Sequence, residues 1–491
     1  MATSVLYSIA TMLLRLGPER PLYRAVYAAL REAILSGRLQ AGSRVPGTRA
    51  LAKQLGVSRI VVLTAFERLV EEGYITSARG SGSRVAVRRP VAAPTSAAAT
   101  PLRGEISAYA RRVVALRAPE SAAQIRLAHL PAIDFRYASF IPDAAALRSW
   151  QRAIATAARG SQFDYPDPAG LARLRQTLCG YLRRHRGVVA EPGDILILNG
   201  SQQALDLTAR VLSERGAVIG IEDPHYQGSR LAFLGAGARL IPCAVDADGL
   251  DIERCAKRLV NARALYVTPS HQYPTGAIMS IERRLGLLAW AAAHRAWLIE
   301  DDYDSEFGLE SGAIPALQGL DRRQCVIYIG TVVRTLSPGL RLGYVVVPEM
   351  LRDAFRGLKW LADRGSSPLE QRALGAFIES GAYARAQRRM SRALAQRRER
   401  LLISLQRCLN DTGVTWTGSG AHAFLRIADV QADKTDAFLD FAVRRGVRLY
   451  NAASYYLRRP HSATLVCGFA TLSPQEIEEG VERFAHAYRA F

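Results

Sequence analysis

The 491-residue sequence predicts an α/β chain in two parts, a small basic module ahead of a large α/β domain. Three observations carry that prediction. Residues 90–104, PVAAPTSAAATPLRG, are rich in Pro, Ala and Thr, the composition of a flexible, locally extended linker. Ahead of it the apolar pattern is helical and then alternates around glycines. Behind it, short apolar runs alternate with helical stretches, which argues for a mostly parallel sheet covered by helices. The expected boundaries are 18–89 for the front module, 90–120 for the linker and 121–491 for the rear domain. Within the rear domain the large α/β part runs to about 365, and a smaller C-terminal part starts near 366.

Composition narrows the class. With 49% hydrophobic and 22% charged residues, a large core is available and wholesale disorder is excluded. No apolar run approaches the ~18–20 residues of a membrane span. The N-terminus, MATSVLYSIATMLLRLGPER, lacks a basic leader and has only a broken apolar stretch, so a cytoplasmic protein without membrane contact is expected. Six cysteines without a CxxC pair give neither a disulfide framework nor a zinc site, and no metal is expected. The net charge is +21, and residues 18–89 hold 13 Lys and Arg against five Asp and Glu. Such a density is the footprint of a polyanion, most simply nucleic acid.

The front module builds element by element. In PLYRAVYAALREAILSG, Leu22, Val26, Leu30 and Ile34 recur at helical spacing, with Pro21 at the start and Gly37 at the stop. TRALAKQLG is a short helix opened by Thr48. Gly56 and Val57 turn the chain, and Ser58 can cap SRIVVLTAFERLVEEG, whose inner face is expected at Leu63, Phe66, Leu69 and Val70. YITSARGSGSRVAV alternates around a Gly-rich tip and reads as a hairpin. Two helices joined by a tight turn and followed by a hairpin make a winged helix-turn-helix, which places its second helix in the DNA major groove.

Residues 21–75 closely resemble the GntR-type DNA-binding domain. The resemblance implies a double-stranded DNA operator as partner. It implies DNA contacts from Arg49, Ser58 and Arg59, and a wing from Arg79 to Arg84 over the backbone. Arginine forks suit guanine and phosphate, and glycines in the wing permit close approach. The family usually has Asn-Thr after Ser-Arg; this chain has Ile60-Val61, which cannot make those polar contacts but can meet thymine methyls.

In the rear domain DILIL, AVIGI, ALYVTP, AWLIEDD and VIYIG read as strands. SQQALDLTARVLSERG and SIERRLGLLAWAAAHR read as helices. Residues 367–407 are helix-rich and basic, and 413–491 look α+β and end in an amphipathic helix. Four segments fall at strand ends. NGSQQALDL (199–207) opens a helix whose amides can hold a phosphate. EDPHYQG (222–228) puts Tyr226 in a loop, TPSHQYPTG (268–276) forms another, and EDDYDSEF (300–307) gathers five acids around Tyr303. Each alone is a weak signal, because acidic loops and glycine turns are common.

In this order and spacing they resemble the fold-type I, aspartate-aminotransferase-like domain of the MocR-type regulators, where it follows a GntR domain. The resemblance runs from about Ile133 to the C-terminus. It implies a transcriptional regulator, a homodimer, and a site for pyridoxal 5′-phosphate (PLP). By that resemblance Asp301 pairs with the pyridinium nitrogen, Tyr226 stacks on the ring and Tyr303 approaches the phenolic oxygen. Gly200, Ser201, Gln202, Thr331 and Arg341 hold the phosphate. A small-molecule effector, PLP or an amino compound, is the expected second partner.

One position departs from the family. Its pattern is Gly-Thr-Phe-Ser-Lys followed by Arg-Leu-Gly-Tyr, and this chain reads GTVVRTLSPGLRLGY (330–344). The Schiff-base lysine position is Arg334, and Val332 and Val333 replace Phe and Ser. A guanidinium stays protonated and cannot serve as that amine. Of the other lysines, Lys53 lies in the front module, Lys257 and Lys359 in helical amphipathic stretches, and Lys434 at the opening of a late helix, so none is expected to substitute. The substrate-carboxylate arginine is also not evident in SATLVCGFA (462–470). The expectation is therefore no catalytic residue, with PLP held non-covalently at best or lost. Arg334 is expected to pair with Asp301 or enter the phosphate cup. The rival reading is a PLP-dependent aminotransferase carrying a DNA-binding domain.

Overall fold

A computed structural model describes residues 22–78, 82–86, 105–116, 132–137, 140, 143–159, 164–304, 315–332 and 334–491. Arg79, Val333 and the 90–104 stretch lie outside them. The chain divides into two compact units, 1–105 and 106–491.

In the first unit, α1 (Leu22–Leu35), α2 (Thr48–Leu55) and α3 (Arg59–Glu71) precede a hairpin of β1 (Ile75–Ala78) and β2 (Gly82–Val85), which pair antiparallel. Gly37 and Gly56 both adopt positive φ, which ends α1 and α2 cleanly. The Ser58 hydroxyl accepts from the Val61 amide and caps α3. One core joins Val26, Leu30, Ile34, Leu51, Phe66, Leu69, Ile75 and Val85. The expected face of α3 needs correction. Val62, Ala65, Phe66 and Leu69 point inward, whereas Leu63 and Val70 are about two-fifths exposed. The buried positions step i, i+3, i+4, i+7, and Leu63 and Val70 sit one residue off that stripe. Leu22, at the open end of α1, is exposed as well.

The second unit begins inside the stretch expected to be linker. Residues 108–116 form α4 (Ala108–Leu116), which packs on a later helix, α8 (Gln227–Ala236). The Arg112 Nε donates to the Gly235 carbonyl at 3.2 Å. The helix buries no residue fully, which explains why its pattern reads as linker.

Eight strands form the main sheet in the order β4-β11-β10-β9-β8-β5-β6-β7. They are β4 (Ile195–Leu198), β5 (Val218–Asp223), β6 (Arg239–Asp246), β7 (Gly249–Leu250), β8 (Ala262–Val267), β9 (Trp297–Asp302), β10 (Val326–Thr331) and β11 (Gly343–Val346). From β10 through β6 the pairing is parallel. β11 runs antiparallel between β10 and β4, and β7 closes the other edge, also antiparallel. The central strands are apolar on both faces because helices cover both, including α5 (Ala144–Arg159), α6 (Ala172–Arg186), α7 (Ser201–Leu212) and α9 (Ile281–His294).

The smaller part is an antiparallel sheet, β12-β13-β16-β15, packed on α13 (Ala382–Leu409) and α15 (Pro474–Ala490). Its strands are β12 (Val414–Ser419), β13 (His422–Gln431), β15 (Tyr450–Asn451) and β16 (Ser462–Gly468). Its expected start near 366 is early. α12 (Pro368–Glu379) and the first turns of α13 pack in the large part through Ala373, Leu374, Phe377 and Tyr383. Met390 and Leu394 on the same α13 belong to the small core, so the boundary runs through one continuous helix. Phe135, far upstream, also joins the small core, beside β3 (Ile133–Asp134), which pairs with β14 (Val447–Arg448).

Candidate functional site

The carboxyl ends of β4, β5, β8, β9 and β10 point to one edge of the sheet, and a crevice outside such ends is where open α/β sheets bind ligands. A cavity of about 410 Å³ sits there, within the range of small-molecule sites. Ser201, Gln202, Tyr226, Asp301, Tyr303 and Arg334 line it, so six of the expected positions converge.

Strand alternation sorts the acids of β9. Glu300 and Asp302 share one face and Asp301 takes the other. Glu300 accepts from the amides of Leu317 and Gln318, and Asp302 pairs with Arg186 Nε at 2.8 Å and accepts from the Tyr328 hydroxyl. Those two are structural. Asp301 faces the cavity and is 4% exposed. The Tyr266 hydroxyl donates to its Oδ2 at 2.7 Å, and its Oδ1 has no partner. Burial pushes its pKa up to about 6, opposed by the Tyr266 hydrogen bond and the charge of Arg334.

The cup at the start of α7 is shaped by glycines. Gly200 holds φ +87° ahead of the first turn, and a Cβ on Gly343 would come within 2.9 Å of the Gly200 backbone. The Arg341 guanidinium lies against Gly200 and donates to the Asn199 carbonyl at 3.2 Å. Arg341 itself adopts φ +51°, a left-handed conformation that costs of order 1–3 kcal/mol in a non-glycine residue. The Gln202 side chain is spent on the Gly228 carbonyl, leaving its amide for the cup. Thr331 sits at the end of β10, its hydroxyl reaching the Leu342 carbonyl at 3.4 Å. Thr331 and Arg341 stand beside the cavity rather than in its wall.

The expected Arg334–Asp301 pair does not form. The guanidinium meets Asp304 at 3.6 Å and lies over the rings of Tyr303 and Phe140, 5.0 and 5.7 Å from their centroids. Tyr266 already occupies one oxygen of Asp301, and Asp304, two residues past β9, stands nearer the turn that carries Arg334. Burial pushes the Asp304 carboxyl up to about 6, and Arg334 opposes that. The Tyr303 hydroxyl is buried without a partner.

Several cavity residues escaped sequence reasoning. Tyr273 meets Tyr226, Tyr303 and Tyr455 edge-on at 5.7, 5.5 and 5.3 Å, and His422 lies beside it. His422 bonds the Pro274 carbonyl through Nε2 at 3.0 Å, and burial lowers its pKa to about 4, so it is neutral. Tyr273 belongs to the TPSHQYPTG loop, but His422 and Tyr455 come from the small part, and no local pattern marks them.

The donor set fits most of a pyridoxal phosphate. An orphaned carboxylate oxygen awaits a ring N–H, an aromatic wall stands ready, and a helix N-terminus with a guanidinium beside it suits a phosphate. It does not fit the covalent link. None of the four lysines lines the cavity. Lys359 is fully buried in α11 (Arg352–Asp363), bonded to Gln203, Asp363 and Ser366, and Lys53, Lys257 and Lys434 are exposed.

The sign of the Asp301 shift gives a prediction. Its folded pKa is raised, so its contribution is fully present below about pH 4 and lost as pH rises through about 6. Asp301→Asn is therefore expected to stabilise the ligand-free second unit by about 2–3 kcal/mol above pH 6 and by little at pH 4. Denaturation followed by tryptophan fluorescence checks this, because all five tryptophans lie in that unit. A gain independent of pH would contradict it.

In the first unit, Arg49, Ser58 and Arg59 are exposed at the start of α2 and the cap of α3. Arg49 and Arg59 make no hydrogen bond or ion pair among the described residues. Arg84 is exposed but donates to the Gly42 carbonyl at 2.9 Å, which holds it against the module. Ile60 is 74% exposed beside Arg59.

A helix-turn-helix with a wing on one unit, and an aminotransferase-type cavity on the other, define a one-chain transcription regulator. Residues 22–85 match the bacterial regulatory proteins of the gntR family, and residues 137–484 match aminotransferase class I and II. The chain is 35% identical to the probable rhizopine catabolism regulatory protein MocR of Rhizobium meliloti, over 96% of this chain and 94% of that one. It is 32% identical to the HTH-type transcriptional regulator YhdI of Bacillus subtilis, over 96% of each. The solved Pyrococcus horikoshii kynurenine aminotransferase superposes with a TM-score of 0.70 at 24% identity, covering 77% of this chain and 96% of that one. The chain belongs to the MocR-type regulators of the gntR family, with a DNA-binding first unit and a second unit of aminotransferase class I and II fold. Among the described residues no helix is long and apolar enough to cross a membrane.

Proposed function

We propose that the second unit is a non-catalytic sensor and dimerisation domain that sets how the first unit meets its operator. The observation that carries this reading is Arg334, a cavity-lining guanidinium at the family's lysine position, in a cavity that no lysine lines. PLP supplies an electron sink to enzymes that link it to an amine. Here the chain's residues would only hold it: Asp301 at the ring nitrogen, Tyr226 on its face, Tyr303 at the phenolic oxygen, and Gly200, Ser201, Gln202, Thr331 and Arg341 at the phosphate. In a homodimer two winged helices would read a two-part operator. A ligand preferred by one arrangement of the dimer would shift the population and with it DNA binding.

The test is a spectrum and a mass. PLP added to the purified protein is expected to leave on dialysis, and borohydride is expected to fix none of it at the cavity. A lysine-linked adduct mapped to the cavity of the unaltered chain would restore the aminotransferase reading.

A further inference from the structure

The cavity holds two charged groups of opposite sign with bonding capacity unspent. Asp301 is 4% exposed, and its Oδ1 has no partner. Arg334 meets Asp304 at 3.6 Å, longer than a good hydrogen bond, and otherwise lies on aromatic rings. Among the described residues its guanidinium makes no hydrogen bond. The N-termini of α7 and α8 open on the same space through Ser201 and Gly228. Tyr226, Tyr273 and Tyr455 wall it. So built, it suits a flat heteroaromatic anion with its N–H toward Asp301 and its phosphate toward a helix end.

Arg334 adds a requirement of its own. A guanidinium donates and never accepts, and its charge is permanent. The geometry points to Arg334 as the specificity-determining residue of this cavity: it admits ligands that present an oxygen acceptor or an anion to it, and disfavours those that present a primary ammonium. A lysine amine at that place could lose its proton; the guanidinium cannot. Asp304 does not reverse the preference. It is 1% exposed, stands outside the cavity wall and already faces Arg334. It is also packed so closely on Gly420 that a Cβ there would come within 1.6 Å of its Oδ2. An incoming ammonium would have to displace the guanidinium to reach it. The inference rests on the reading of this cavity as a site for pyridoxyl-phosphate-class ligands.

Pyridoxine 5′-phosphate and pyridoxamine 5′-phosphate differ in one substituent, hydroxymethyl against aminomethyl, and neither reacts with protein amines. Calorimetric titration of the full chain is expected to give at least about tenfold tighter binding of the hydroxymethyl form, the scale of one like-charge contact at a partly buried site. In Arg334→Gln, and in Arg334→Met, which keeps an unbranched apolar stem without donors, the ratio is expected to fall within about threefold. Circular dichroism confirms that each variant is folded. Equal or tighter binding of the aminomethyl form by the unaltered chain, or an unchanged ratio in both variants, overturns the assignment to Arg334 and leaves the pyridoxyl site standing. If neither compound binds the folded protein, the pyridoxyl reading fails and this inference with it.

Discussion

Arg59→Ala in the full chain is expected to lower operator affinity about tenfold to a hundredfold, and Arg49→Ala by a similar factor. Both guanidinium groups are exposed, one on the first helix of the helix-turn-helix and one beside the Ser58 cap of the second. Neither is committed to another group among the described residues, so the protein loses nothing internal when they are removed. If the arginine touches a phosphate, its removal should reduce the slope of log affinity against log salt by about 0.9. If it reads a base, its removal should instead relax preference at one position with less change in slope. Arg84→Ala is expected to do less directly, because its guanidinium is held by the Gly42 carbonyl. The operator can be selected from a random pool with the unaltered protein, then used for salt titrations of each variant. An Arg49/Arg59 double variant with unaltered affinity and slope would remove these residues from the interface.

Arg186→Met is expected to cost the second unit about 3–5 kcal/mol at neutral pH, the penalty for leaving one member of a buried ion pair behind. Arg186 closes α6 and donates to Asp302 at 2.8 Å and to the Ser270 hydroxyl at 2.6 Å. The Asp302 side chain is fully buried and that of Arg186 is nearly so, at 11% exposed. Methionine preserves the apolar stem, so the loss reports the charge. The ion pair also ties the helix to the end of β9, one residue from Asp301. Ligand binding should therefore weaken together with stability. Urea unfolding read by tryptophan fluorescence measures the first, and titration with pyridoxine 5′-phosphate the second. A loss below about 1 kcal/mol, the level of a surface ion pair, would show that water reaches Asp302.

Local chemistry alone settled the order of elements in the front module and five of the eight strands of the rear sheet. Gly37, Gly56 and Ser58 act through their own backbone or cap, so their roles are written where they stand. The apolar runs that became β4, β5, β8, β9 and β10 are buried on both faces, which makes them continuous and easy to see. That residue 334 is an arginine is equally a fact of sequence. α4 was missed because a helix that buries no residue fully leaves no strong apolar stripe. The small-part boundary was misplaced because α13 serves two cores and carries no break between them.

Which partner Arg334 takes was decided only by the tertiary structure. In sequence Asp301 and Asp304 are two acids of one run. In space, the pleat of β9 turns Asp301 to the cavity and gives one oxygen to Tyr266, from a neighbouring strand, while the chain beyond β9 brings Asp304 to the guanidinium. His422 and Tyr455 reach the same cavity from more than a hundred residues downstream. Local sequence determines what each side chain can do over a few residues. Charge pairing and burial depend on distances between segments far apart in the chain, and only the packed sheet sets those distances.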